Sequence, residues 1–287
     1  MTANEARNIG YADAVETAGA WTVGVDARRR YGATGIVWST GVVITADHVV
    51  ERDEDIVVIL PDGKRVAATL AGRDPANDLA VLRAGDLPAS ALRAPNPRVG
   101  DLCLAIGRPG GYLSAALGII SATGALWGRR RRGDRRPVIR PDLTLYPGFS
   151  GGPLISASGE LIGMSTTDRG GVLALPVAEI EPIVTELLAH GRRRRAYFGM
   201  TSQPVPLPDA EAGQQTGLLV VGVEPESPAA VGGLMVGDIV VGIGDDIIRD
   251  TDDLRDALSP DLVGKTTSIR ILRGGVARSL DVTIGEL

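Results

Sequence analysis

Three residues of this chain have the types and settings for nucleophilic chemistry. Ser150 lies in the glycine-rich run Gly148-Phe149-Ser150-Gly151-Gly152-Pro153. Glycines at such a turn permit backbone conformations that expose a hydroxyl and aim amides at a common point. The amides of Gly148 and Ser150 are then candidates for stabilising an oxyanion. His48 lies in Ile44-Thr45-Ala46-Asp47-His48-Val49-Val50, and Asp78 in Asn77-Asp78-Leu79-Ala80-Val81-Leu82. Taken singly, each has an ordinary reading: a hairpin turn, a structural histidine, a turn aspartate. Taken together they supply a nucleophile, a base to accept its proton, and a carboxylate to fix the imidazole tautomer.

Composition narrows the choice of base. The 287 residues include two histidines and one cysteine, so only His48 or His190 can serve. A structural zinc site needs four Cys or His ligands and is excluded, as is an internal disulfide. Cys103, inside Leu102-Cys103-Leu104-Ala105-Ile106, reads as an inert residue of a buried strand. No cofactor is called for. Val263-Gly264-Lys265-Thr266 looks like the tail of a phosphate loop, but Ser259 replaces the required glycine and a strand pattern follows. With 30 basic and 35 acidic residues the net charge is −5, and nucleic acid is not an expected partner. Two arginine runs, 129–132 with Arg135, Arg136 and Arg140, and 192–195, read as solvated loops or linkers. Docking of these runs to acidic polypeptide, anionic lipid or nucleic acid is the lesser reading, so membrane contact stays open. The first run is also a candidate ligand sensor, because it crowds arginines close in sequence to Ser150.

The elements that must position these residues are short. Apolar runs at 21–25, 36–45, 56–60, 66–70, 79–82, 102–106, 115–122, 154–156, 161–165 and 172–175 are cut by Gly, Pro and Asp. This spacing indicates an all-β barrel or sandwich, with two halves meeting near Ala94-Pro95-Asn96-Pro97. The uncharged stretch 109–128 is long enough to cross a bilayer, but its glycines dilute it, and it reads as a strand with turns. The first residues read as neither an export signal nor an anchor. Ile180, Ile183, Val184, Leu187 and Leu188 recur at helical spacing over 177–190, and Gly191 is the expected stop. A second unit follows from Tyr197: a strand at 217–223, a short helix at 227–231, strands across 238–248, and a helix at 251–258 capped by Thr251. A hairpin turned at Arg273-Gly274-Gly275 ends it. The expected domains are 1–190, a linker at 191–196, and 197–287.

The combination resembles the chymotrypsin-like serine proteases and, within them, the HtrA/Deg family. TADHVV at 45–50, NDLAVL at 77–82 and GFSGGPL at 148–154 carry the resemblance, with AIGRPG at 105–110, GELIG at 159–163 and LALP at 173–176. The second unit resembles a PDZ domain on VEPESPAA at 223–230 and VGDIV at 236–240. The resemblance implies a mainly β fold: a chymotrypsin-like double six-stranded β-barrel followed by a small α+β PDZ domain. It implies an ATP-independent serine endoprotease that cleaves unfolded or misfolded polypeptides through an acyl-enzyme. The catalytic residues would be His48, Asp78 and Ser150, and the oxyanion hole the amides of Gly148 and Ser150. Thr144, Leu145, Leu173 and Leu175 would form an uncharged specificity pocket for small-to-medium apolar side chains. Tyr197, Phe198, Gly199 and Met200 would form a loop taking a peptide C-terminus, the peptide adding as a strand. The family pattern also implies a homotrimer. The chain as written reads as cytoplasmic, and as an envelope protein if an export segment has been removed.

Two positions depart from the family pattern. Phe149 and Tyr146 stand where it has asparagine. They feed the alternative of a latent or non-catalytic, chaperone-like peptide-binding protein with the same fold.

Overall fold

The computed structural model describes residues 3–29, 31–85, 87, 93, 96–125, 137–168, 171–194, 196–207 and 214–286. Within them the short apolar runs become strands of two closed six-stranded barrels. The first contains β1 Thr22–Asp26, β2 Ala33–Ser39, β3 Val42–Thr45, β4 Ile56–Ile59, β5 Arg65–Asp74 and β6 Leu79–Ala84, in the order β1-β2-β3-β6-β5-β4. The second contains β7 Leu102–Gly107, β8 Ser114–Ala125, β9 Pro137–Asp142, β10 Pro153–Ser156, β11 Leu161–Asp168 and β12 Gly171–Pro176, in the order β10-β11-β12-β9-β8-β7. The uncharged stretch thus supplies β8.

Two cores explain the patterning. Successive strand residues point to opposite faces, and on β10 of the second barrel both faces are covered. Leu154 enters that barrel's own core with Cys103, Ile120, Ile139 and Ala174. Its neighbour Ile155 enters the larger core of the first barrel, with Val23, Ile36, Ile44, Val81 and Leu82. Burial pushes the Cys103 thiol up to about 11, which keeps it unreactive at neutral pH. A helix, Val177–His190, lays Ile180, Ile183, Val184 and Leu187 on the larger core. It ends as the sequence indicates: Gly191 has φ +72° and donates its N–H to Leu187 O at 2.9 Å.

A helix at Ala3–Gly19 has no counterpart in the sequence reading. Its packed face is Tyr11, Ala14, Val15 and Ala18. The spacing is helical, but alanines carry half of it, so the apolar signal is weak.

The second compact unit starts at Arg194. It contains a sheet of β14 Met200–Pro206, β15 Thr216–Val223, β16 Ile239–Ile243, β18 Thr266–Arg273 and β19 Val276–Thr283, in that order. β17 Asp246–Ile247 pairs with β16, and β13 Ala196–Tyr197 pairs with β20 Gly285–Glu286. Helices Pro228–Val231 and Thr251–Ala257 complete it. Asp250, not Thr251, caps the latter. Its Oδ1 accepts the N–H groups of Asp252 at 2.8 Å and Asp253 at 2.9 Å. An ionised oxygen is the stronger acceptor there, and Thr251 becomes the first helical residue.

The arginine runs fare differently. Residues 129–132, Arg135, Arg136 and Arg195, with Ala94 and Pro95, lie outside the described residues. Arg192 and Arg193 are not a free linker. Arg192 forms a β-bridge with Arg73, and Arg193 reaches Asp74 at 3.5 Å and Glu186 at 3.4 Å. A side chain at Gly72 would lie 2.6 Å from Gly191 O, so glycine is needed for this close approach.

Phe149, 2% exposed, belongs to the second-barrel core and meets Tyr146 edge-on at 5.6 Å between ring centroids. Its ring fills the space where a side chain at Gly107 would stand. Gly107→Ala is therefore expected to destabilise the chain by about 1–3 kcal/mol through overpacking, measured as a lowered urea midpoint. Phe149→Leu in the same chain should recover part of that loss; simple additivity would refute the steric coupling.

Candidate active site

His48 sits on a 3-10 turn, Asp47–Val49, immediately after β3. Arg73, on β5, holds this turn. Its Nε donates to Asp47 Oδ1 at 2.6 Å, and its Nη2 to Asp47 O at 3.5 Å and Val50 O at 3.2 Å. The hydrogen bond to Asp47 raises the pKa of the Arg73 guanidinium against the opposing effect of burial.

Asp78 ends the turn between β5 and β6. There the buried Asp74 carboxylate accepts the Ala76 N–H at 3.1 Å and the Asn77 side-chain amide. Asp78 itself has φ +53°, a left-handed conformation that aspartate tolerates better than most residues. Its carboxylate meets His48 twice. Oδ1 accepts the His48 backbone N–H at 2.9 Å, and Nδ1 lies 2.8 Å from Oδ2 and 3.0 Å from Oδ1. Thr166 Oγ1, on β11, donates to Oδ2. Burial pushes the Asp78 carboxyl upward, but the bonds from His48 and Thr166 outweigh it and hold the pKa below the usual 3.8. An ionised Asp78 places the imidazole proton on Nδ1 and leaves the Nε2 lone pair for a substrate or nucleophile proton.

Ser150 follows a turn of defined type. Phe149 N–H donates to Tyr146 O at 3.1 Å, with Pro147 second in the turn and Gly148, φ +87°, third. Positive φ at the third position makes it a type II turn. Gly151 and Gly152 pass so close to Thr45, Thr34 and Ile106 that neither has room for a Cβ. Among the described residues, the N–H groups of Gly148 and Ser150 have no acceptor, and no hydrogen bond joins Ser150 Oγ to His48. Two free amides beside a half-buried serine are what an oxyanion requires.

The expected pocket residues separate. Thr144 is exposed, Leu145 packs partly against the second-barrel core, and Leu173 is half-buried in register with Thr166. Leu175 is 5% exposed and fills the larger core. On β11, pairing with β10 ends at Met164 while pairing with β12 runs on to Asp168, leaving an open strand edge beyond Ser165. Thr166 was not legible in the sequence, because Ser165-Thr166-Thr167 offers three equivalent hydroxyls and only strand register selects one.

In the second unit, Gly199 has φ +82° and lies too close to Ser227 for any side chain. Its carbonyl accepts the Glu224 N–H at 2.9 Å, and Phe198 O accepts the Ala229 N–H at 2.9 Å. Among the described residues, the Phe198 and Gly199 N–H groups have no acceptor. Tyr197 Oη donates to Glu224 Oε2 at 2.5 Å, Phe198 is core, and Met200 packs partly against that core. β14 is the sheet's edge strand, and the Thr251–Ala257 helix lies beside it.

Comparison with known proteins gives the family. The trypsin-like peptidase domain family matches residues 33–164, and the PDZ domain family residues 162–284. A solved serine endoprotease from Yersinia pestis is 30% identical, with TM-score 0.80, covering 96% of this chain and 98% of that one. The chain belongs to the HtrA family of serine proteases. The HtrA-type protease AlgW, solved with a tripeptide, is 32% identical with TM-score 0.77, over 96% of this chain and 97% of its own. A probable periplasmic serine endoprotease DegP-like of Pseudomonas fulva is 34% identical over 89% of this chain. The HtrA chain here spans 56% of that relative's length. The PDZ match begins within β11, ahead of the second compact unit.

The lowered pKa of Asp78 gives a signed prediction for this HtrA site. Its stabilising contribution is present above 3.8 and is lost as pH falls through the folded value. Thr166→Val removes one bond that favours the ionised form. Urea denaturation over roughly pH 2 to 6 should show a smaller acid-dependent loss of stability in the variant, complete at a higher pH than in the parent, and identical profiles would contradict the assignment.

Proposed function

We propose that this chain is an ATP-independent serine endoprotease acting on unfolded polypeptides, with His48, Asp78 and Ser150 as its catalytic triad. The observation that carries the proposal is the hydrogen-bonded His48–Asp78 pair in the same barrel unit as two acceptor-free amides at Ser150.

Ser150 Oγ attacks the scissile carbonyl while His48 Nε2 takes its proton. The imidazolium so formed is stabilised by Asp78 and returns the proton to the leaving amine. The N–H groups of Gly148 and Ser150 bind the tetrahedral oxyanion, an interaction worth about 3–4 kcal/mol per donor in a comparable enzyme. Water then resolves the acyl-enzyme by the same route reversed. No step requires a nucleotide.

The open edge of β11 gives an extended substrate a strand to pair with, which favours unfolded segments over folded ones. Thr144, Leu145 and Leu173 are uncharged, which supports cleavage after small-to-medium apolar side chains. In the PDZ unit, the free N–H groups of Phe198 and Gly199 suit a C-terminal carboxylate, and the edge of β14 suits the peptide that follows. The AlgW structures titled with a tripeptide and a decapeptide support that reading. A homotrimer and an envelope location complete the proposal. Exposed Leu102, Leu117 and Ile119 on the adjacent strands β7 and β8 support assembly, and the relatives' periplasmic names support the location.

The missing hydrogen bond between Ser150 Oγ and His48 favours a second reading, a peptide-binding protein without catalysis. The two readings separate in one experiment. The protein is incubated with a reduced, unfolded polypeptide without ATP, and in parallel with a fluorophosphonate. The protease reading expects cleavage and labelling, both lost in Ser150→Ala by at least ~10⁴-fold. A folded protein that binds peptide but neither cleaves nor labels would establish the second.

A further inference from the structure

We propose that Thr34 is a positioning residue for the oxyanion amides, and that Arg108 is the fixed anchor through which it acts. The proposal rests on the protease reading above and concerns residues outside its triad.

Thr34, on β2, is fully buried, and each of its polar atoms reaches across to another element. Its N–H donates to Ser150 O at 3.3 Å. Its carbonyl accepts from Thr45 Oγ1 at 2.7 Å, three residues before His48. Its hydroxyl donates to Gly148 O at 2.7 Å and accepts the Arg108 N–H at 2.8 Å. A carbonyl cannot donate and an amide N–H cannot accept, so this hydroxyl has one possible orientation.

The bond to Gly148 O has a consequence for the turn. The Gly148–Phe149 peptide is held at both ends: its oxygen by Thr34 and its N–H by Tyr146 O. The alternative type I turn needs φ near −90° at Gly148 in place of +87°, with the Pro147–Gly148 peptide turned over. That rotation carries the Gly148 N–H to the opposite side of the turn. Pinning Gly148 O fixes the peptide next to the one that turns over, and with the Thr34 N–H on Ser150 O it brackets the Ser150 amide, so both oxyanion donors adjoin carbonyls that Thr34 holds.

Arg108 supplies the rigidity. It is 6% exposed, and its guanidinium donates to Thr22 O at 2.7 Å, Gly19 O at 2.8 Å and Gly111 O at 3.2 Å. Among the described residues it has no carboxylate partner. Gly19 is the last residue of the Ala3–Gly19 helix, whose C-terminal carbonyls carry partial negative charge. A cation held by three carbonyls fixes the Arg108 backbone and so the N–H that orients Thr34. The next residue packs on the same turn: Pro109 Cβ lies 2.5 Å from where a Gly148 side chain would begin.

The test uses the full chain with Thr34→Val, which keeps shape and removes the hydroxyl, Thr34→Ser, which restores it, and Thr34→Ala as a smaller second deletion. Sites are titrated with a fluorophosphonate, and kcat and KM per titrated site are measured on a peptide substrate. Thr34→Val and Thr34→Ala should lower kcat by about 10–100-fold, less than the ~10²–10³ for outright loss of a donor, with KM within about twofold. Thr34→Ser should return to within about threefold of the parent. Parent-like kcat in both deletions, an equal loss in Thr34→Ser, or a loss confined to the number of titratable sites would overturn the positioning role. A parent protein with no titratable site would overturn the protease reading itself.

Discussion

The site exists only if two barrels hold their chemistry in register, and they are joined beside it by a small set of buried hydrogen bonds in addition to a shared apolar core. His48 and Asp78 come from the first barrel, while Ser150, its amides and Thr166 come from the second. Thr34 bonds to Ser150 and Gly148 across that boundary, and Thr45 ties the same residue to the end of the strand that leads into the His48 turn. Thr34 and Thr45 are fully buried, and an unmade partner at any of these bonds would cost about 1–3 kcal/mol. Gly151 and Gly152 follow from the same constraint. The backbones approach closely enough that only glycine fits.

Bulky and charged residues around the site are accommodated by their immediate neighbours. Phe149 replaces a polar residue with an aromatic ring, and Gly107 leaves the space for it. Arg108 brings a cation into a buried position, where helix-end and turn carbonyls take its hydrogen bonds. Asp47, beside His48, is matched by Arg73. In each case a neighbouring side chain or carbonyl of this chain supplies the space or the partner. Catalysis of this type draws on backbone amides and a histidine–aspartate pair, so these substitutions leave the required groups in place.

What was legible in the sequence were features set by local composition. Glycines around Ser150, the strand-end histidine, and the apolar stripe of residues 177–190 with Gly191 after it all correspond to observed structure. Features that depend on long-range register were not legible. Thr166 is selected over Ser165 and Thr167 only because β11 presents it to Asp78. Thr34 reads as an ordinary strand threonine until its partners, far away in sequence, are seen. The first helix was hidden because its packed face is half alanine. The cap at Asp250 was displaced by one residue because two good caps are adjacent, and the carboxylate won. Arg192 and Arg193 read as linker on charge alone, whereas a glycine contact and buried Asp74 draw them onto β5.

Catalysis as proposed requires Ser150, His48 and the two amides to act as one site across the barrels. The most direct measurement is a crystal structure of the chain after reaction with a fluorophosphonate. The expected adduct has phosphorus bonded to Ser150 Oγ, with one phosphonyl oxygen about 2.7–3.1 Å from both the Gly148 and Ser150 nitrogens. An adduct on another residue, or a Gly148 N–H turned away from that oxygen, would contradict it.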